Sequence, residues 1–267
     1  MAKNYTDLDA KVGSKNYTNL DLDGIGSGTP APIDPATLNL RSYFKAENYN
    51  FGASTWTSSA SAGDSGTRSV STLGTNAPIA GTINGKPAIN QPGTAGFWLR
   101  LQMVSENTGQ PSSVISQPDF MLTIVCEVTG PVLGSQNAGF SVLLNESSTQ
   151  IGVNMYLDGG VPTINGFIVS PIYCNVALPL PAYGTPFVLQ YGIISNQVAM
   201  RFNKNPFTYA AIPPGTGNPA YQNFHVGYAG ASLYPGKLGD YYGTLGSRTL
   251  QQHDDLVNAA MVKYSIT

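Results

Sequence analysis

The segment from Gly236 to Ile266, GKLGDYYGTLGSRTLQQHDDLVNAAMVKYSI, restricts the fold of this chain more than any other. It reads as a strand, a short polar turn and an amphipathic helix. Leu256, Val257, Ala260, Met261 and Tyr264 fall at i, i+1, i+4, i+5 and i+8, which places them on one stripe of a 3.6-residue helix. Thr249 and Gln252 have the spacing of a capping box, in which each side chain satisfies an orphan amide of the first turn. Asp254 and Asp255 stand early and Lys263 late, as the helix dipole favours. His253 is expected on the helix surface. Upstream, from about Leu38, strands and turns alternate. A β-rich body closed by one late helix is therefore expected.

Composition agrees with that shape. Only 10% of the 267 residues are charged, but 42% are hydrophobic and patterned, so the chain is neither disordered nor coated with charge. A net charge of −2 provides no electrostatic reason to bind nucleic acid or an anionic membrane. No apolar run approaches the ~20 residues of a membrane span. The start, MAKNYTDLDAKVG, shows no apolar h-region, so no export signal is expected. Cys126 and Cys174 are too few for a disulfide framework, and Cys126 reads as a buried thiol on a strand.

Three regions are expected. Residues 1–23 form an arm in which KNYTDLD, from Lys3, recurs as KNYTNLD, from Lys15. Two short copies are too few for a solenoid. They suit an arm that docks on neighbouring subunits, with Tyr5, Leu8, Tyr17 and Leu20 as its anchors. Residues 24–35, GIGSGTPAPIDP, read as a linker. The body is residues 36–267.

Within the body, Leu38 to Tyr43 suggests a first strand, followed by a polar loop through Gly66. Asn84-Gly85 marks a hairpin turn. Phe97 to Met103 alternates as a strand does. In Phe120 to Val128, Phe120, Leu122, Ile124, Cys126 and Val128 share one face and Met121, Thr123, Val125 and Glu127 the other. Phe140 to Leu144 and Ile151 to Leu157 follow, with Asp158-Gly159-Gly160 as a turn. Phe187 to Ile194 and Val198 to Phe202 form a hairpin, and Phe224 to Tyr228 a further strand. Strands at this density predict an all-β, two-sheet sandwich.

The order of motifs resembles the concanavalin A-like lectin/glucanase (laminin-G-like) domains of phage and bacterial surface proteins. The matching residues are Trp56 followed by Asp64-Ser65-Gly66, then Asn84-Gly85-x-Pro87, the strand Phe120 to Val128, and the pair Phe187 to Asn203. The closing signature is Gly239-Asp240, Arg248, Leu250 and Lys263-Tyr264. The resemblance covers residues 38–267 and implies a jelly-roll sandwich.

Catalysis is not expected. Retaining glycoside hydrolysis needs two carboxyls about 5–5.5 Å apart, and no Glu-x-Asp-x-Glu stretch supplies them. Asp7/Asp9 and Asp21/Asp23 lie in the arm. His225 and His253 are not spaced as a metal pair, and no nucleophile elbow or phosphate-binding loop is present. Neither a cofactor nor a metal is expected. Sugar recognition would use exposed aromatics beside amides or carboxylates, and Trp56, Tyr156, Tyr209 and Tyr221 are the candidates. The leading expectation is a non-enzymatic virion structural or decoration protein. It would be homo-oligomeric, joined to other virion subunits through the arm, and able to bind surface glycans. The alternatives are a secreted or cell-surface carbohydrate-binding module and, more weakly, a glycan-cleaving enzyme.

Overall fold

The computed structural model describes residues 33–38, 40, 42–60, 66–73, 78–91, 98–102, 119–131, 140–144, 150–169, 173–213, 221–226 and 236–267. The compact body begins at Ile33. The arm, with Tyr5, Leu8, Tyr17 and Leu20, and linker residues 24–32 lie outside the described residues.

A 3₁₀ turn, Pro35–Leu38, precedes the strands. In chain order these are β1 (Ser42–Asn50), β2 (Thr55–Ser58), β3 (Gly66–Leu73), β4 (Ile79–Ile83), β5 (Lys86–Gln91), β6 (Trp98–Gln102), β7 (Phe120–Val128) and β8 (Phe140–Leu144). They continue as β9 (Gln150–Asp158), β10 (Val161–Val169), β11 (Tyr173–Pro179), β12 (Pro186–Ile194), β13 (Gln197–Phe202), β14 (Thr208–Ala211), β15 (Tyr221–Val226) and β16 (Gly236–Leu245). Helix α1, Leu250–Tyr264, closes the chain.

Fourteen of the strands follow one path, β11-β10-β9-β8-β15-β6-β3-β2-β1-β16-β7-β12-β13-β14, folded into two layers, while the β4–β5 hairpin lies off it and pairs through β5 with β16. β3 belongs to both: its first half pairs with β2 and its second half with β6. A strand that switches sheets in this way makes the corner of a sandwich. The first sheet runs from β2 to β14, the second from β6 to β11. On the far side the edge strands β11 and β14 meet, where the Cys174 thiol donates to the Ala211 carbonyl at 3.1 Å. The fold is an antiparallel β-sandwich with a C-terminal helix, as expected.

Strand β7 explains the layering. Both of its faces are buried, with the residues divided between them as the sequence alternation predicts. Phe120, Leu122, Ile124, Cys126 and Val128 enter the core between the sheets with Phe187, Leu189, Tyr191, Val153 and Ile164. Val125, on the other face, packs with Val188, Tyr242 and the helix residues Leu256, Val257, Ala260 and Tyr264. The helix therefore covers the outer face of the first sheet.

Local signals form as predicted. Thr249 and Gln252 make both bonds of the capping box. Asn84 and Gly85 take φ of 47° and 75°, which suits a two-residue hairpin turn. The 195–196 hairpin turn also has positive φ, 49° at Ser195 and 59° at Asn196. Both cysteines are buried thiols, outside any disulfide.

Other expectations are corrected. Leu38 to Tyr43 is not a strand: Pro35 starts a 3₁₀ turn, and β1 begins only at Ser42. The polar stretch to Gly66 contains β2, where Trp56 and Ser58 alternate inward. His253 is 3% exposed, because its ring packs edge-on against Phe207. The first turn of α1 carries no acid, and Asp254 instead pairs with Arg201 at 2.7 Å. Strands β10 and β11 are not apparent from the sequence pattern. In β10, Pro162 and Gly166 interrupt the apolar alternation. Gly166 nevertheless faces inward: a Cβ there would lie 2.6 Å from the Tyr191 ring, which fills the missing side chain's volume from the opposite sheet.

Candidate functional site: the outer face of the second sheet

With α1 over the first sheet, the other broad surface is the outer face of β9, β10 and β11. Register places its residues. Val153, Met155, Ile164, Cys174 and Val176 point into the core. Their neighbours therefore point out: Asn154, Tyr156 and Asp158 on β9, Thr163, Asn165 and Phe167 on β10, Tyr173 and Asn175 on β11.

Four of these form a built unit. Asn175 Nδ2 donates to Asn165 Oδ1 at 2.8 Å, and Asn165 Nδ2 donates to Tyr173 Oη at 2.8 Å. The Tyr173 ring stacks on Phe167 with centroids 6.2 Å apart. Asn165 is buried beneath this network, while Tyr173 remains 53% exposed. The result is an aromatic plate whose position is set by an amide chain. Tyr156 stands nearby. Partial burial, then the charges of Asp158 and Tyr173, push its phenol above the ordinary range, so it keeps its proton at neutral pH.

Such a face can stack the C–H side of a sugar ring on Tyr173 and bond hydroxyls through amides and phenols. Within residues 150–179 the single acid is Asp158, so β9, β10 and β11 themselves carry no carboxyl pair of the kind that glycoside hydrolysis uses.

The candidates from sequence do not converge. Tyr156 lies on this face. Trp56 is 1% exposed, packs with Phe44 and Tyr49, and gives its indole proton to the Lys45 carbonyl at 2.7 Å, so it offers no surface to a ligand. Tyr209 is exposed on β14, next to Phe207, on the helix side of the first sheet. Tyr221 opens β15 opposite Leu144, and its side chain lies outside the described residues. Phe167, Tyr173, Asn165 and Asn175 are not among the sequence candidates, although Asn165-Gly166-Phe167 and Tyr173-Cys174-Asn175 carry the same amide–aromatic alternation. That pattern acquires a face only once β10 and β11 are seen to be strands.

The densest polar cluster lies elsewhere. Asp240 of β16 is fully buried and accepts bonds from the hydroxyls of Tyr43, Tyr242 and Tyr264, from the Ala46 amide and from Lys263. Burial first, and then the Asp240 charge, push the phenols of Tyr43, Tyr242 and Tyr264 well up. Burial works against the charge of Lys263, but Asp240 and Glu47 outweigh it and raise its pKa. This closed cluster fastens the helix to the sheet and leaves no room for a substrate. A groove of about 580 Å³ lies between residues 203–205 and the C-terminal half of α1, lined by Asn203, Lys204, Asn205, Asn258 and Met261 among others. Among the described residues, no group of His, Cys, Asp and Glu could hold a metal ion, and no helix is long and apolar enough to cross a membrane.

The fold is an antiparallel β-sandwich closed by a C-terminal helix. No protein-family model matches the chain, and no curated protein sequence does. Solved structures do. Domain 4 of AbnA, a GH43 extracellular arabinanase from Geobacillus stearothermophilus, in complex with arabinotriose, has a TM-score of 0.58 at 15% identity; the match covers 82% of this chain and 98% of that domain. The binding domain of Paraclostridial Mosquitocidal Protein 1 has a TM-score of 0.59 at 9% identity, over 85% of this chain and 53% of that one. The binding domain of botulinum neurotoxin DC, in complex with SialylT, has a TM-score of 0.56 at 9% identity, over 83% and 51%. This chain thus spans about half the length of the two toxin domains. At these identities the likeness is one of fold.

Proposed function

We propose that this chain is a non-catalytic glycan-binding β-sandwich, carried on a virion as a structural or decoration protein. The observation that supports glycan binding is the exposed Tyr173 plate with its Asn165–Asn175 amide chain, on a fold similar to domains seen with arabinotriose and SialylT. The virion reading rests on the repeated KNYT arm, which suits docking to equivalent subunits, and on the resemblance to phage surface domains. Retention of the full chain on a broad glycan array tests the first part, and binding to no glycan removes it. Deleting residues 1–23 tests the second. Loss of particle incorporation with an intact body supports it, and unchanged incorporation removes it. A secreted or cell-surface carbohydrate-binding module is the second reading, favoured by the same Tyr173 face; glycan binding by a chain that never associates with particles would select it.

A further inference from the structure

We infer that the Tyr173 face selects uncharged glycans and rejects acidic ones, an inference that rests on the glycan-binding reading above. It begins with a run of sequence: between Arg100 and Arg201 there is no lysine, arginine or histidine. That span contains β8, β9, β10 and β11 entire, together with every connection between them. Cations on the same sheet are remote. His225 of β15 and Arg100 of β6 share a register row with Phe167 through Ser141 and Gly152. They stand three and four strands from β10, about 14 and 19 Å away at the usual strand spacing. That is beyond the Debye length of about 8 Å at physiological salt.

A carboxylate, sulfate or phosphate placed on Tyr173 would therefore lose water without meeting a positive charge from β8 to β11 or their connections. Moving charge out of water is costly unless a partner receives it. Asp158, at the end of β9, adds repulsion and no attraction.

The hydrogen-bonding groups point the same way. Within the chain Asn175→Asn165→Tyr173, Tyr173 accepts a bond and keeps its own hydroxyl proton to give. Asn175 donates inward and keeps its carbonyl oxygen to accept. The two ends thus present one donor and one acceptor. A sugar hydroxyl both gives and takes, and a vicinal pair satisfies both ends. An anionic group only accepts: it can take the Tyr173 proton but gives none to the Asn175 oxygen. The exposed Tyr173 ring then stacks on the uncharged face of the same residue of the glycan.

The test uses the full chain on an array of neutral pentose and hexose oligosaccharides, arabinotriose among them, beside sialylated, sulfated and uronate-containing ones. Neutral glycans should be retained and acidic ones not. Tyr173→Ala should weaken binding at least about tenfold, the scale of one lost stacking anchor. Tyr173→Phe, which keeps the ring and loses the donor, should fall between. Tyr209→Ala, on the other sheet, should bind as the unaltered chain does. Tyr173 is an exposed side chain, and coincident thermal melts will show that its variants fold. Preference for acidic glycans, or binding unchanged by Tyr173→Ala, would overturn this inference and leave glycan binding itself standing. No binding to either class would overturn the functional reading beneath it.

Discussion

Asp240 on β16 and Lys263 on α1 are 23 residues apart in sequence and 2.9 Å apart at their charged atoms. Around this contact the helix is tied to the sheet. Tyr264, next in sequence, donates to the same carboxylate at 2.8 Å and also reaches the Pro87 carbonyl at 3.1 Å. Asn84 caps the helix end through the carbonyls of Tyr264 and Ser265. The separated motifs Asn84-Gly85-x-Pro87, Gly239-Asp240 and Lys263-Tyr264 are therefore parts of one junction.

Removing Asp240 should cost more than removing Lys263. Asp240→Ala removes the shared acceptor of five donors; Tyr264 keeps the Pro87 carbonyl and Lys263 keeps Glu47, but the buried hydroxyls of Tyr43 and Tyr242 and the Ala46 amide lose theirs, an expected loss of about 3 kcal/mol or more in urea unfolding. Lys263→Met leaves the carboxylate four donors and should cost about 1–3 kcal/mol. The reverse order would contradict the view that Asp240 is the centre of the junction.

Gly239 precedes the carboxylate because nothing larger fits. A Cβ there would lie 2.7 Å from both the Tyr264 ring and Val125 Cβ. Gly239→Ala should lower stability by about 1–3 kcal/mol through overpacking, read as a fall in the urea midpoint at unchanged m-value.

Asn84 has two separable roles. Asn84→Gly keeps the positive φ of the turn and loses both bonds to the helix end. It should cost about 1 kcal/mol, whereas Asn84→Ala should cost more, because it also strains the turn. Equal losses would show that the strain of the turn contributes little.

His253 should make the fold acid-sensitive. Burial, then the charges of Arg201 and Arg248, lower its pKa to about 4, with Asp254 and Asp119 opposing. The unfolded histidine titrates near 6.5. The depressed folded value means that the unfolded chain binds the extra proton first as pH falls. Stability is therefore full above about 6.5 and is lost progressively down to the folded pKa. The loss from this group should reach about 2–3 kcal/mol by about pH 4.5. His253→Gln should flatten that part of the stability–pH curve, and an unchanged slope would assign the acid sensitivity to other groups.

Part of this architecture is legible in the amino-acid sequence alone. Strand β7, the Asn84-Gly85 hairpin, the 195–196 hairpin and the capped helix each depend on a pattern within about ten residues, where side-chain period and turn chemistry act directly. Strands β10 and β11 are not legible in the same way. Gly166 breaks the local pattern, and only the Tyr191 ring, from the facing sheet, completes it.

Local pattern and composition are enough to specify the class: an all-β sandwich with a capped C-terminal helix, few charges, and a hundred-residue run without a cation. Which residues face a ligand is set by tertiary packing. Packing buries Trp56 and His253, and it brings Tyr173, Asn165 and Asn175 together on the outer side of the second sheet, with Tyr173 exposed over a buried Asn165. Alternation along a strand shows which residues share a side. Burial depends on what packs above each side, and here those partners come from strands and a helix distant in the chain.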